Sequence, residues 1–294
     1  MKDPANDSLA QSFYEGVPED QKQRLGAFRQ HFPYSTMQLG ESDWHYIDTQ
    51  DGEQVVFILA GATTIAEISF NTIEHLAEGN RVIAPDYPPI DNLAQLFDGY
   101  ITMLDRLGVD QLVLMGGSYG GWMVQSLVRL IPDRTDKVVL SAIGPPNPEN
   151  SRQLEKMLWM FKLMPYSLLR ALMNRSFSRL VSEGELQPVQ MLMMAQLKEI
   201  MHNRVGRKDI LAALLRLIDQ TENYHFGSED LADWPGKMLV LMGSDDPSTT
   251  PDKRDAMAVL YPQAEHVVFE GADHSISVTH KEQYYLVLDS FLTK

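Results

Sequence analysis

Three side chains, far apart along a chain of 294 residues, have the types and local contexts of an acyl-transfer site. Ser118 stands at the centre of the GxSxG pentapeptide Gly116–Gly120, within Gly116-Gly-Ser-Tyr-Gly-Gly121. It follows the apolar stretch Gln111-Leu-Val-Leu-Met115 and opens an amphipathic stretch from Tyr119. That is the strand, sharp turn and helix that expose a nucleophilic hydroxyl. The helix N-terminus behind the serine would aim backbone N–H groups at an oxyanion formed there. A nucleotide-binding turn is also glycine-rich, but here the glycines are not spaced GxGxxG and no GK[ST] follows.

A serine hydroxyl is a weak nucleophile near neutral pH and needs an adjacent base. Among eight histidines the candidate is His274, in Glu270-Gly-Ala-Asp-His-Ser275 just past the strand-like His266-Val-Val-Phe269. It would lie on a loop at the carboxyl edge of a parallel sheet, where such folds place their ligands. The other histidines fall in or beside predicted elements; His280, at a helix start, is the alternative. The base in turn needs a carboxylate to fix its tautomer and stabilise the imidazolium. Gly243-Ser-Asp-Asp-Pro247 follows the strand Lys237–Met242 and offers Asp246, with Asp245 as a competitor that could instead cap the turn. Asp273, adjacent to the histidine, is expected to point away. Donors for the oxyanion are expected from the N–H of Tyr119 and from the loop Ala60-Gly-Ala-Thr-Thr64, with the N–H of Ala62 first and Thr63 as its neighbour. The same loop also reads as a turn or cap for the helix after Ile65.

The elements that must position these residues alternate. Tyr34–Leu39 and Trp44–Ile47, separated by Gly40-Glu-Ser-Asp43, read as a hairpin. Val55–Ala60 is a continuous apolar run of the kind buried on both faces of a sheet. Helical spacing over Ile65–Leu76, Leu93–Leu107 and Tyr119–Leu130 is interleaved with strands at Arg81–Ala84, Gln111–Met115 and Lys137–Ala142. Such alternation predicts βαβ units and a mostly parallel sheet. After Gly144-Pro-Pro-Asn-Pro148 the strands stop. Helical stretches at Leu154–Met164, Leu168–Leu180, Val189–Met201 and Ile210–Asp219 follow, and alternation resumes with Lys237–Met242, the helix Lys253–Leu260, the strand His266–Phe269 and the helix His280–Leu292. The expected organisation is a polar N-terminal lead-in over 1–30, an α/β core over 31–144 and 237–294, and a helical cap over 145–236.

Composition removes other chemistries. With no cysteine there is no disulfide framework, thiol nucleophile or Cys-ligated zinc. A formal charge of −15, from 25 basic and 40 acidic side chains, argues against nucleic acid as a partner, because that binding neutralises phosphates with Lys and Arg. No run of 18 apolar residues predicts a membrane span, and Met1–Asp20 lacks the pattern of a secretory signal, so a cytoplasmic location is the default expectation. Within the cap, Met157, Met160, Met164, Met173, Met191, Met193, Met194 and Met201 have two readings. Flexible thioethers suit a pocket for varied apolar groups, but methionines three or four apart on amphipathic helices are also ordinary packing. Lys162, Arg170, Arg175, Arg179, Arg204, Arg207, Lys208 and Arg216 make the cap locally basic, which would attract an acidic ligand or simply form a solvated helix face.

From about Ser35 to Leu292 the chain resembles the α/β-hydrolase superfamily, and within it the maspardins. The likeness rests on Arg81-Val-Ile-Ala-Pro-Asp-Tyr-Pro88, Asp98-Gly-Tyr-Ile-Thr-Met-Leu-Asp-Arg-Leu107, Gly117-Ser-Tyr-Gly-Gly-Trp122, Met164-Pro-Tyr-Ser-Leu-Leu169 and Leu260-Tyr-Pro-Gln-Ala264. It implies an α/β-hydrolase fold, a mostly parallel central sheet flanked by helices with an inserted helical cap. The order Ser118, Asp246, His274 is the superfamily's triad order. Maspardins are regarded as non-catalytic interaction proteins that lack the usual histidine, whereas His274 and Asp246 stand here at the expected places. The superfamily's usual His-Gly at the oxyanion loop is replaced by Ala60-Gly61. The expected function is a serine hydrolase that cleaves a carboxylic ester or related small acyl substrate through an acyl-enzyme on Ser118, with no cofactor and no metal. A non-catalytic, maspardin-like binding or scaffold protein is the alternative. A peptidase or amidase would share the fold, and haloalkane dehalogenation is disfavoured because it uses a carboxylate where this chain has Ser118.

Overall fold

The computed structural model describes residues 12–146, 151–178 and 186–294. Its strands are β1 (Tyr34–Leu39), β2 (Ser42–Asp48), β3 (Val55–Leu59), β4 (Arg81–Pro85), β5 (Leu112–Gly117), β6 (Thr135–Ser141), β7 (Lys237–Gly243) and β8 (Glu265–Phe269). They form one sheet in the order β1-β2-β4-β3-β5-β6-β7-β8. β1 pairs antiparallel with β2 and β2 with β4, and the remaining pairings are parallel. The β1–β2 hairpin closes through Gly40, whose φ of 59° meets the twist that a two-residue turn demands.

Alternate residues of each central strand feed two cores. From β3, Phe57 and Leu59 join the face packed by α3 (Leu93–Arg106) and α4 (Tyr119–Leu130), with Phe97, Tyr100, Met123 and Val124. Val56 and Ile58 join the opposite face, packed by α1 (Glu19–His31) and α2 (Phe70–Leu76) with Leu25, Phe28, Phe70 and Ile73. Burial on both faces is what an unbroken apolar run such as Val55–Leu59 requires. Asn92 caps α3 by accepting from the Gln95 N–H at 2.9 Å.

The stretch read as a polar lead-in carries a helix that the sequence reading did not place. Residues 1–11 lie outside the described part, but Glu19–His31 forms the 13-residue helix α1. Only Leu25 and Phe28 of this helix are buried, an apolar stripe too narrow to predict a helix by itself. Ion pairs supply the rest of the anchorage: Arg24 to Glu74, and Arg29 to Glu67 and Glu199, the last two at 2.6 Å. A second difference lies at Ile65–Leu76, where a 3-10 turn over Ala66–Ser69 precedes α2. Its first two N–H groups are taken by Asp86 Oδ1 at 2.8 Å and the Tyr34 hydroxyl at 3.1 Å, which tightens the turn.

Among the described residues four α-helices separate β6 from β7: α5 (Ser151–Leu163), α6 (Tyr166–Ser178), α7 (Pro188–Asn203) and α8 (Arg207–Asn223). They share a core of their own with Ile65, built from Phe161, Leu169, Ile200, Met201 and Leu214. Gln196 donates to the Glu67 carbonyl and Gln220 to the Trp122 carbonyl, which fastens α7 and α8 to the carboxyl edge of the sheet. The expected ends of two segments, Asn147-Pro148 and Arg179-Leu180, lie outside the described residues. The chain closes with α9 (Pro251–Leu260), α10 (Ile276–Thr279) and α11 (Lys281–Leu292).

Candidate active site

Ser118 occupies a backbone conformation that side chains rarely adopt, φ 52° and ψ −124°, between the last residue of β5 and the first of α4. Its N–H donates to the Ser141 carbonyl of β6 at 2.9 Å. The flanking glycines are dictated by proximity: a Cβ at Gly116 would lie 2.5 Å from the Gly120 carbonyl oxygen, and one at Gly120 would lie 2.0 Å from that of Leu59. Two more non-glycine residues with positive φ, Thr64 at 62° and Ala142 at 50°, follow the neighbouring strands β3 and β6. Backbone strain of this kind is held in place only where surrounding structure over-determines it, and it clusters at functional edges.

Beyond β6, at the same carboxyl edge, Asp246 after β7 and His274 after β8 meet. Asp246 is buried, at 3% exposure, and its Oδ2 lies 2.9 Å from Nδ1 of His274. The other oxygen, Oδ1, accepts the N–H of Ser248 at 2.8 Å and its hydroxyl at 2.7 Å, and that hydroxyl also lies 3.0 Å from His274 Nδ1. Burial works against the charge on Asp246. The hydrogen bond and charge of His274, with both Ser248 donors, outweigh it and hold the carboxyl below its ordinary range. An ionised Asp246 fixes the imidazole proton on Nδ1 and turns Nε2 into the acceptor.

The competing groups are engaged elsewhere. Asp245 is exposed and accepts from the Ser244 hydroxyl at 2.8 Å, Asp273 accepts the Ser275 N–H at 2.8 Å, and His280 Nε2 lies 3.2 Å from the Glu270 carbonyl oxygen. Among the described residues no hydrogen bond joins the Ser118 hydroxyl to His274. Catalytic hydrogen bonds are often open without substrate and tighten in the complex.

The loop Ala60–Thr64 is braced from below. The Tyr87 hydroxyl donates to the Ala60 carbonyl at 3.1 Å, and the Tyr87 N–H donates to that of Thr64 at 2.9 Å. Asp86, one residue earlier, accepts from the Ala66 N–H, from the Tyr34 hydroxyl at 2.9 Å and from Arg204 Nη2 at 2.7 Å. Burial pushes the Asp86 carboxyl up, against the pull of Arg204. On the other side of the loop Arg216, at 1% exposure, donates from Nε to the Tyr119 hydroxyl at 2.6 Å and from Nη1 to the carbonyls of Pro88 and Ile90. Its guanidinium also lies 5.1 Å from the centre of the Tyr87 ring. Ser248, Arg204 and Arg216 are functional candidates beyond the sequence reading. Asp246-Pro247-Ser248 did carry a turn signal, but nothing in the sequence distinguishes the buried Arg216 and the half-buried, ion-paired Arg204 from the solvated arginines around them.

Ala62 and Tyr119 both border a cavity of about 550 Å³ that extends between α5, α6, α7 and α8. Its wall is mainly apolar, with Phe161, Ile210 and Leu214. Met157, Met160, Met173 and Met201 line it; Met157, Met164, Met173 and Met201 also pack in the core of the four helices, and Met191 packs against the face of the sheet covered by α1 and α2. Among the described residues no cluster of His, Asp and Glu could hold a metal ion.

A family model described as alpha/beta hydrolase fold matches residues 54–281. The chain belongs to this family. Maspardin of Pongo abelii is 26% identical to this α/β hydrolase over 203 residues, covering 68% of the chain and 62% of maspardin, so less than two thirds of that relative's length is spanned. Esterase YbfF of Escherichia coli is 25% identical over 198 residues, 63% of this chain and 69% of the esterase. In three dimensions a thermophilic esterase from Thermogutta terrifontis superposes with a TM-score of 0.71 at 20% identity, covering 88% of this chain and 98% of that one. That likeness is one of fold.

Proposed function

We propose that this α/β hydrolase is a serine hydrolase acting on a carboxylic ester or related acyl compound. One observation carries the reading: a serine strained at φ 52° at the head of a helix shares a sheet edge with a histidine whose Nδ1 lies 2.9 Å from a buried carboxylate. Ser118 Oγ attacks the acyl carbon while His274 Nε2 takes its proton, and Asp246 stabilises the imidazolium. The N–H groups of Ala62 and Tyr119 receive the oxyanion, each donor contributing about 2.7–4 kcal/mol in such sites. The imidazolium then protonates the leaving alcohol, and water activated by the same base releases the acid. The helices of 145–236 serve as a cap whose cavity holds the acyl group. No step calls for a cofactor. The name of YbfF as an esterase accords with this chemistry.

The test is active-site labelling with a fluorophosphonate probe. Covalent labelling of the wild type, lost in Ser118→Ala with the thermal melt unchanged, is the expected result. A folded wild type that stays unlabelled, under conditions that label a known esterase, overturns the reading. A binding or scaffold role on the same fold is the second reading, favoured by the maspardin similarity and by the absence of a Ser118–His274 hydrogen bond among the described residues. In that case partner binding survives both Ser118→Ala and His274→Ala.

A further inference from the structure

Nine large apolar side chains are exposed among the described residues, and five of them fall on two consecutive helices: Trp159, Met160 and Leu163 of α5, and Leu168 and Leu172 of α6. Trp159 is 68% and Leu163 65% exposed, one helical turn apart on the same face. Leu168 and Leu172 repeat that spacing on α6. The α6 stripe reaches the cavity at Leu172, and Met160, next to Trp159 on α5, is likewise both exposed and part of the cavity wall. The apolar patch is therefore continuous with the mouth of the pocket that runs to Ala62 and Tyr119.

The charge carried by these two helices opposes that of the molecule. Between Ser151 and Ser178 stand five basic side chains, Arg152, Lys156, Lys162, Arg170 and Arg175, against the single acid Glu155, in a chain of net charge −15. A two-fold contact between two copies of this face would set those cations against one another, because the same patch appears on both sides of such an interface. Exposed Trp and Leu interleaved with Lys and Arg on an amphipathic helix suit the headgroup layer of an anionic bilayer, where rings and acyl-like side chains sink below the cations.

We propose that the outer face of α5 and α6 docks on an anionic lipid surface, with Trp159 and Leu163 inserted and the cavity mouth turned toward the bilayer. The rest of the molecule is strongly acidic, so the field orients this face toward the membrane and the remainder away. Binding is a property of the surface and is read without turnover, so it succeeds or fails apart from the hydrolase reading.

The experiment is flotation of the full chain with vesicles of phosphatidylcholine alone, or with 30% phosphatidylglycerol as roughly the acidic content needed for a negative surface potential. The expected result is binding to the anionic vesicles that exceeds binding to the neutral ones at least about tenfold, weakens severalfold on raising salt from about 0.1 to 0.5 M, and falls at least about tenfold in Trp159→Glu/Leu163→Glu. Both sites are exposed, and a thermal melt of the double variant verifies its fold. Brominated lipid gives a second, independent measure: it should quench tryptophan emission of the wild type, and Trp159→Phe should bind while losing that quenching. Absence of binding to anionic vesicles overturns the proposal, as does binding that the double variant leaves intact. A dimer dissolved by the double variant, or retention on poly-glutamate, overturns it equally when vesicles are not bound.

Discussion

The Ser248 hydroxyl stands between Asp246 and His274, 2.7 Å from the carboxylate Oδ1 and 3.0 Å from the imidazole Nδ1. It donates to the acid and leaves its own oxygen facing the proton that His274 directs at Oδ2. The two side chains therefore differ in consequence. Ser248→Ala removes one hydrogen bond to a charged acceptor, worth about 1.5–3 kcal/mol, while the Ser248 N–H still holds Oδ1, so kcat on an activated ester should fall no more than about a hundredfold. Asp246→Asn can present the wrong hydrogen-bonding group to Nδ1, and by analogy with other triads kcat should fall about 10³–10⁴-fold. Steady-state kinetics on the two variants separate a positioning serine from an essential acid. Equal losses would mean that the serine is as essential to setting the imidazole as the aspartate.

The same acid predicts how stability depends on pH. Asp246 is buried, yet its carboxyl is held below the ordinary value near 4 by His274 and Ser248. A carboxyl with a lowered folded-state pKa stabilises the fold above its unfolded value, and that contribution is lost as pH falls through the unfolded and then the folded value. The wild type should thus be more stable than Asp246→Asn above pH ~5, and the gap should close as pH falls below ~4. Urea titrations of both proteins across that range measure it. A gap that is constant down to about pH 3 would mean that Asp246 is not ionised in the fold.

The central strands and the helix after Ser118 were legible because apolar periodicity is a local property. Tyr119–Leu130 has the same limits in sequence and structure, and the GxSxG glycines announce a turn whose tightness the Gly116 and Gly120 contacts explain. What escaped depends on pairing across distance. Arg204 reaches Asp86 across 118 residues, and Arg216 reaches the Pro88 carbonyl across 128. No local pattern says that a given arginine will be buried. Helix α1 escaped for the same reason, its anchorage lying in Glu67, Glu74 and Glu199 rather than in its own apolar stripe. The choice between Asp245 and Asp246 likewise depends on which one the turn aims at His274.

Two glycine substitutions should have opposite signs. Gly26 lies inside α1, and a methyl group added there would meet nothing within 4 Å. Gly26→Ala should therefore stabilise by about 0.5–1 kcal/mol, through the lower entropy of the unfolded chain. At Gly120 the methyl group meets the Leu59 and Ala60 carbonyl oxygens at 2.0 and 2.7 Å. Neither backbone oxygen can swing aside as a side chain could, so Gly120→Ala should destabilise by about 1–3 kcal/mol or more and displace the Tyr119 N–H. Thermal melts order the three proteins. A neutral Gly120→Ala would show that β3 and α4 are looser than this packing.

Arg204 should be costly to truncate. It pairs with buried Asp86 at 2.7 Å and lies 3.8 Å from Glu67, itself paired to Arg29. Three acids, Asp86, Glu67 and Glu199, thus share two guanidinium groups. Arg204→Ala leaves Asp86 buried without its cation, a change of about 3–5 kcal/mol in comparable pairs. Because Asp86 accepts the Ala66 N–H, the loop carrying Ala62 should loosen with it. Denaturation should show the stability loss, and adding Asp86→Asn to Arg204→Ala should recover part of it, since the stranded charge is then removed. A double variant less stable than Arg204→Ala would place the cost in lost packing instead.

The methionine-lined cavity makes a prediction about chain length. Its wall of Met157, Met173, Met201, Phe161 and Leu214 offers apolar contact to an acyl group, and each methylene buried contributes about 0.8 kcal/mol. If that contact is made in the transition state, kcat/KM for p-nitrophenyl esters should climb up to about fourfold per added CH₂, then level off once the space is filled. Met173, half-buried on α6, is the residue to alter. Met173→Trp should fill part of the cavity and move the plateau to shorter acyl groups while leaving the acetate ester nearly unchanged, and Met173→Ala should move it to longer ones. An ester series measured on the three proteins tests volume against chemistry, because neither substitution touches Ser118, Asp246 or His274. A plateau that stays at the same chain length in all three would mean that the acyl group does not enter this cavity.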